Sequence, residues 1–172
     1  LYAHTATLLA NGEVLVTGGF PNDASSEIYS PATRSWRQSL PMAEARFGHM
    51  TVRMADGRVL VMGGGNSAVG GALTTCEIYN STAGLWSSTT AMTAPRMWHQ
   101  ATLLTDGQIL VSGGGDAALY DPTTAAWTAT GAMLIARQRH TATLLSTGKV
   151  FVAGGEGAAG CEVYDPSLRT WS

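Results

Sequence analysis

Four histidines set the metre of this chain, and most of its other distinctive residues keep step with them. His4, His49, His99 and His140 are spaced 45, 50 and 41 residues apart. Each is followed fourteen residues later by a glycine pair, starting at Gly18, Gly63, Gly113 and Gly154. Tyr29, Tyr79, Tyr120 and Tyr164 each precede a tryptophan by seven residues: Trp36, Trp86, Trp127 and Trp171. Three of the tryptophans lead to methionine six residues on (Met42, Met92, Met133), then to arginine four later (Arg46, Arg96, Arg137), then to histidine three later. A fixed period of this length means one supersecondary unit repeated, with neighbouring units burying each other's apolar faces.

Within a unit the residues read as strand, turn, strand, loop, strand, turn, strand. The first strand is rich in β-formers, as in 140–145, and meets a turn signal: Asn11-Gly12, Asp56-Gly57, Asp106-Gly107 or Thr147-Gly148. Such pairs favour two-residue hairpins, in which both central residues take positive φ. The second strand is a short apolar run ending in Gly-Gly, and the third carries Glu-Ile-Tyr or a variant. Ser30-Pro31, Asp121-Pro122 or Asp165-Pro166 then turns the chain into a fourth strand near the tryptophan. No segment has the period of a useful helix. Charged residues are 13% of the chain, about half the usual ~25%, which suits sheets buried on both faces. Ten Lys and Arg against twelve Asp and Glu exclude a nucleic-acid binder working by bulk positive charge. No apolar run approaches the ~20 residues of a membrane-spanning helix, so no membrane partner is expected.

Four antiparallel strands per unit at this period are the mark of a β-propeller blade. The fold class expected is therefore all-β, with four repeats each forming a four-stranded antiparallel blade, at about 1–40, 46–90, 96–131 and 137–172. Arg-x-x-His, the strand-ending Gly-Gly and the Tyr…Trp pair resemble the kelch family, of the bacterial kelch or galactose oxidase central-domain type. WD40 repeats have a similar period, but no tryptophan here is followed by aspartate. The resemblance implies a recognition domain, since kelch propellers are mostly binding modules. It also admits an enzymatic alternative: kelch-like propellers include copper oxidases of the galactose oxidase type, sialic-acid mutarotases and plant specifier proteins that use ferrous iron. Every histidine and both cysteines lie in repeat register, with no additional His/Tyr/Cys cluster in the loops. No catalytic residue, cofactor or metal is therefore assigned.

Alternating strand direction puts the loops after Gly-Gly and the connections between blades on one face, and the tight turns on the other. The first face carries the length variation, at 20–25, 65–75, 115–117 and 156–160. It also receives Arg46, Arg96 and Arg137, and the four histidines at the start of each first strand. Just ahead of the histidines the repeat breaks: the preceding pairs are Tyr2-Ala3, Phe47-Gly48, Met97-Trp98 and Gln138-Arg139. Trp98 and Arg139 are thus not explained by what every blade needs. The candidate ligand-binding set is Arg46, Arg96, Trp98, Arg137, Arg139, His4, His49, His99 and His140. Guanidinium groups suit a carboxylate or phosphate and an aromatic offers a stacking surface, so the partner expected is a protein, a peptide or a small anionic ligand. Against this, arginines repeated in every unit also fit a structural role, bridging neighbouring blades to carbonyls or acids. The histidines fit hydrogen-bonded structural positions better than a metal ring. Glycine pairs, tyrosines, tryptophans and methionines are expected to serve blade packing alone.

Cys76 and Cys161 share one repeat position two blades apart, so no bridge between them is expected; they read as free, inert thiols and name no compartment. The first residue is Leu1, and no charged segment followed by an apolar one opens the chain, so it reads as processed or as a piece of something longer. Trp to the next His is always thirteen residues, yet joining Ser172 to Leu1 leaves a standard connection eight residues short. That leaves open one propeller domain of four blades, a partial propeller, and a homodimer completing a larger ring.

Overall fold

A computed structural model describes residues 2–172, and they form strands, turns and loops without a helix. The chain divides into two compact units, Leu1–Met97 and Trp98–Ser172. Each holds two repeats, and each repeat is a four-stranded antiparallel sheet.

In the first unit, blade 1 runs β1 (Thr5–Leu8), β2 (Val14–Gly19), β3 (Asp23–Ser30) and β4 (Ser35–Gln38). Blade 2 runs β5 (Met50–Arg53) and β6 (Val59–Met62), then β9 (Cys76–Asn80) and β10 (Leu85–Thr89). Between β6 and β9 the loop forms its own small hairpin, β7 (Gly65–Asn66) with β8 (Gly71–Ala72), which the sequence pattern does not announce. In the second unit, blade 3 runs β11 (Gln100–Leu103), β12 (Ile109–Gly113), β13 (Asp116–Asp121) and β14 (Ala126–Ala129). Blade 4 runs β15 (Thr141–Leu144), β16 (Val150–Ala153), β17 (Cys161–Asp165) and β18 (Thr170–Trp171).

The second strands are short apolar runs, and in blade 2 both faces of that strand are covered. All of Val59, Leu60, Val61 and Met62 are fully buried. Leu9, Leu15 and Ile28 of blade 1 cluster with Val59, Val61 and Tyr79 of blade 2, and Met42 of the connecting segment joins them. In the second unit Met133 does the same with Leu110 and Leu119 of blade 3 and Val150, Val152 and Tyr164 of blade 4. Each fully buried aliphatic side chain contributes about 1.5–3 kcal/mol. Outside this layer Tyr and Trp pair across the outer two strands in every blade, with ring centroids 4.9–5.1 Å apart.

The hairpins between first and second strands correct the sequence reading. They are not two-residue turns with two positive-φ residues. Gly12 donates its N–H to Leu9 O at 3.1 Å and Leu9 N–H reaches Glu13 O at 2.8 Å, so the turn is a type I turn closed by a left-handed glycine. Positive φ falls on Gly12, Gly57, Gly107 and Gly148 alone, and not on the Asn, Asp or Thr ahead of them. Asn and Asp serve instead as acceptors: Asp56 Oδ1 takes Arg58 N–H and Asp106 Oδ1 takes Gln108 N–H, both at 3.0 Å.

The glycine pairs answer to close approach. A Cβ on Gly64, at φ +98°, would lie 2.8 Å from both His49 Cβ and Phe47 O. At Gly155, also φ +98°, it would lie 2.6 Å from Gln138 O. These glycines let the inner strands seat against the segment that carries Arg-x-x-His.

Candidate functional site

The repeated arginines and three of the four histidines, expected at an open mouth, lie inside the blades. Arg46 and Arg137 are at most 1% exposed, Arg96 4%, and His49, His99 and His140 at most 2%. Arg46 sends Nη1 to the carbonyls of Gly63 (2.8 Å) and Thr75 (3.0 Å), and Nη2 to Glu77 at 2.9 Å. Its own carbonyl accepts from Gly19 of blade 1. Arg137 repeats this: Nη1 to Gly154 O and Gly160 O, Nη2 to Glu162 at 2.7 Å, and its carbonyl to Gly114 N–H of blade 3. The backbone of Arg96 joins Gly64 and Leu73 of blade 2. Arg46 and Arg137 are thus bridges between blades, and the acids they need were in plain sight: Glu77 and Glu162 stand in register, two residues before the tyrosine.

The histidines follow the same logic. His49 Nε2 meets the hydroxyls of Thr5 (2.8 Å) and Thr17 (3.2 Å), and His140 Nε2 meets Ser112 Oγ at 3.0 Å. Burial, helped by the charge of Arg46, pushes the His49 pKa down to about 3; burial and Arg137 push that of His140 to about 4. Both rings are therefore neutral at pH 7. His4 is exposed, and among the described residues no three His, Cys, Asp or Glu side chains gather as a metal-binding group.

Immediately before each histidine the backbone is left-handed: φ is 60° at Ala3, 57° at Gly48, 58° at Trp98 and 55° at Arg139. This turn sets a backbone link between consecutive blades. Gly48 N–H donates to Ala3 O at 2.9 Å, and Arg139 N–H to Trp98 O at 2.8 Å. One residue earlier, the chain bridges to the loop after Gly-Gly: Tyr2 with Phe20, Phe47 with Gly65, Gln138 with Glu156. The scaffold uses the backbone at these positions and leaves their side chains to vary.

What varies differs between the units. In the first, Tyr2 stacks on Phe20 at 4.8 Å between centroids, and Phe20 meets Phe47 edge-on at 5.2 Å. In the second, the Arg139 guanidinium lies over the Trp98 ring, 4.5 Å from its centroid, and pairs with Glu156. The Arg139 and Glu156 side chains are 52% and 61% exposed. Beside them an open cleft of about 280 Å³ is lined by Gly114, Ala136, Arg137, Gln138 and Glu156. Glu156 escapes a sequence reading because it lies in a loop without register.

The two cysteines are free, as their spacing requires, but unequal. Cys76 is buried, which pushes its thiol pKa up to about 11, whereas Cys161 is exposed.

Comparison with known proteins agrees with the geometry. Residues 46–93 match the family described as the Kelch motif. No curated protein matches the chain. Among solved structures, that titled "Structure of YjhT" superposes with a TM-score of 0.82 at 14% identity, covering 99% of this chain and 64% of that one. The chain thus spans just under two thirds of that protein's length, and at this identity the likeness concerns the fold. Residues 46–93 are a Kelch motif, and the chain has the kelch-type β-propeller fold, each of its four repeats forming one four-stranded blade.

Proposed function

We propose that this kelch-repeat scaffold is a recognition module whose second unit takes a carboxylate-bearing ligand at Trp98 and Arg139. One observation carries the reading: Arg139 stacks over an aromatic face while holding an exposed carboxylate, that of Glu156. An exposed ion pair of this kind is worth about 0–1 kcal/mol, and an exposed cation–π contact about 0.5–1 kcal/mol. A ligand carboxylate that exchanges with Glu156 therefore loses little, keeps the stacked guanidinium and gains the adjoining cleft. The neighbouring Gln138 side chain, also exposed, adds a polar contact at the cleft wall. Among the buried candidates, Arg137 lines the cleft wall, whereas Arg46, Arg96, His49, His99 and His140 serve the packing of their own blades.

Calorimetric titration of the chain with an aspartate-rich peptide and with a sugar acid tests this. Saturable binding that weakens as salt rises, and that falls at least about tenfold in Arg139→Ala, supports it. Binding unchanged in Arg139→Ala, or none with either acid, refutes it. In Glu156→Gln the competing carboxylate is gone, so affinity should rise.

A further inference from the structure

The strap that leads from blade 3 into blade 4 puts two bulky aliphatic side chains where the fold needs only backbone. Leu134 and Ile135 donate their N–H groups to Glu162 at 2.7 and 3.1 Å, as Ala43 and Glu44 do to Glu77 in the first unit. Their side chains take no part in that link, and they differ from strap to strap. Ala43-Glu44-Ala45, Thr93-Ala94-Pro95 and Leu134-Ile135-Ala136 stand at one repeat position. Leu134 is 67% exposed and Ile135 40%. Ala43 and Thr93 are exposed as well, so the exposure belongs to the strap position itself. In the first unit Glu44 accepts the Thr75 hydroxyl. In the second, Gly160 stands in place of Thr75 and Ile135 lies against it, with Cδ1 3.8 Å from where a Cβ on Gly160 would be.

This aliphatic pair is continuous with the Trp98–Arg139 cleft. The strap and the loop after Gly154-Gly155 run antiparallel, in contact along their length. Gly160 O accepts from Arg137 Nη1 at 2.7 Å, a Cβ on Gly157 would lie 3.8 Å from Ala136 O, and Glu156 N–H donates to Gln138 O at 2.8 Å. Ala136 lines the cleft together with Gln138 and Glu156. Exposed side chains therefore pass from Leu134 and Ile135, over the small Ala136, to Gln138 and the Arg139–Glu156 pair. One end of the strip is apolar and the other cationic. The chain from Ile135 to Arg139 spans at most about 14 Å.

We infer that the ligand of this cleft is an extended peptide segment of a partner protein, with a carboxylate at Arg139 and a bulky aliphatic side chain on Leu134 and Ile135. The inference rests on the carboxylate reading of Trp98 and Arg139 and decides between its two ligand classes. A sugar acid would set hydroxyl groups against Leu134 and Ile135, which offer no hydrogen bond in place of the water lost. An aliphatic side chain buries apolar area on both partners there. In an extended segment, residues four apart share a face and stand about 13 Å apart, which matches the strip.

Two blocked nonapeptides test this, titrated into the whole chain and followed at the Trp98 indole N–H by NMR, with Trp98→Phe identifying the signal. One is Leu-Gly-Ser-Gly-Asp-Gly-Ser-Gly-Leu, which places leucine four positions to either side of its only carboxylate and so serves both chain directions. The other has serine in place of both leucines. The leucine peptide is expected to bind about tenfold tighter than the serine peptide, and the two to bind alike in Leu134→Ser/Ile135→Ser. Both should weaken in Arg139→Ala. Equal affinities in the parent chain, a preference for leucine that survives the double substitution, or tighter binding of glucuronate overturns the peptide inference and leaves the carboxylate site standing. Absence of Arg139-dependent binding by either peptide or by glucuronate overturns both.

Discussion

Replacing Arg46 by methionine separates a bridge from a binding residue. The side chain is fully buried and makes three close contacts: Gly63 O at 2.8 Å, Thr75 O at 3.0 Å and Glu77 at 2.9 Å. Methionine fills most of the volume and donates nothing. Glu77, itself 3% exposed, then keeps only the N–H groups of Ala43 and Glu44 to hold a buried charge. Breaking one side of a buried ion pair costs about 3–5 kcal/mol, chiefly through the charge left behind. The orphaned Gly63 carbonyl adds to that, while Thr75 O keeps the Gly63 N–H at 3.1 Å; relaxation and water entry offset part of the cost, so a loss of about 4 kcal/mol is expected. Against a total stability of about 5–15 kcal/mol, this is a large shift of the urea midpoint, measured by tryptophan fluorescence and far-UV circular dichroism.

Two controls fix the cause. Glu77→Gln placed on Arg46→Met removes the stranded charge and should recover about 1–2 kcal/mol, so the double variant is more stable than the single one. Arg137→Met, whose contacts repeat in the second unit, should cost the same within about 1 kcal/mol. An Arg46→Met variant within about 1 kcal/mol of the parent would refute the bridging argument and return Arg46 to the candidate binding residues.

Acid should unfold the chain through its histidines. The folded pKa values of His49 and His140 lie near 3 and 4, below the ordinary 6.5, so between those limits the unfolded chain binds protons that the folded chain refuses. Stability is therefore full above about pH 6.5 and is lost as pH falls toward 3–4, and urea midpoints taken across that range should fall with pH, less steeply in His49→Gln. Gly64→Ala should cost more than Gly107→Ala by at least about 1–2 kcal/mol in thermal unfolding. Both have positive φ, but only at Gly64 does the new Cβ strike His49 and Phe47, while around Gly107 the space is open. A thiol reagent at pH 8 should label Cys161 rapidly and Cys76 only on unfolding, as mass spectrometry of the folded chain would register.

The blades were legible because their cause is periodic. Any residue that packs one sheet on the next must recur, so His, Gly-Gly, Tyr, Trp and Met declared the strands in one unaligned sequence. Periodicity does not distinguish a side chain aimed at solvent from one aimed between blades. Arg46 in register is equally consistent with a charged mouth and with a buried bridge. Its partner settles the matter, and Glu77 lies 31 residues away on β9, whereas Arg46 belongs to a connecting segment. Hairpin type was half legible: Asn-Gly and Asp-Gly marked the turns, but one bulge residue and not two took positive φ. Least legible was the left-handed residue before each histidine, since only Gly48 hints at it while alanine, tryptophan and arginine occupy the same conformation.

That conformation explains how one repeat serves both as scaffold and as recognition surface. The link between consecutive blades passes through backbone N–H and carbonyl groups, so Ala3 and Gly48 perform it as well as Trp98 and Arg139 do. Side chains there are released from the fold, at a conformational cost the repeat already bears at every copy. Strain at Trp98 and Arg139 is therefore no sign of function by itself. What singles them out is chemistry the link does not need: a half-buried aromatic under an exposed cation, on a frame whose repeated arginines, Arg46, Arg96 and Arg137, are interior. In a fold that spends its repeated residues on holding blades together, specificity is left to the positions where only the backbone is repeated.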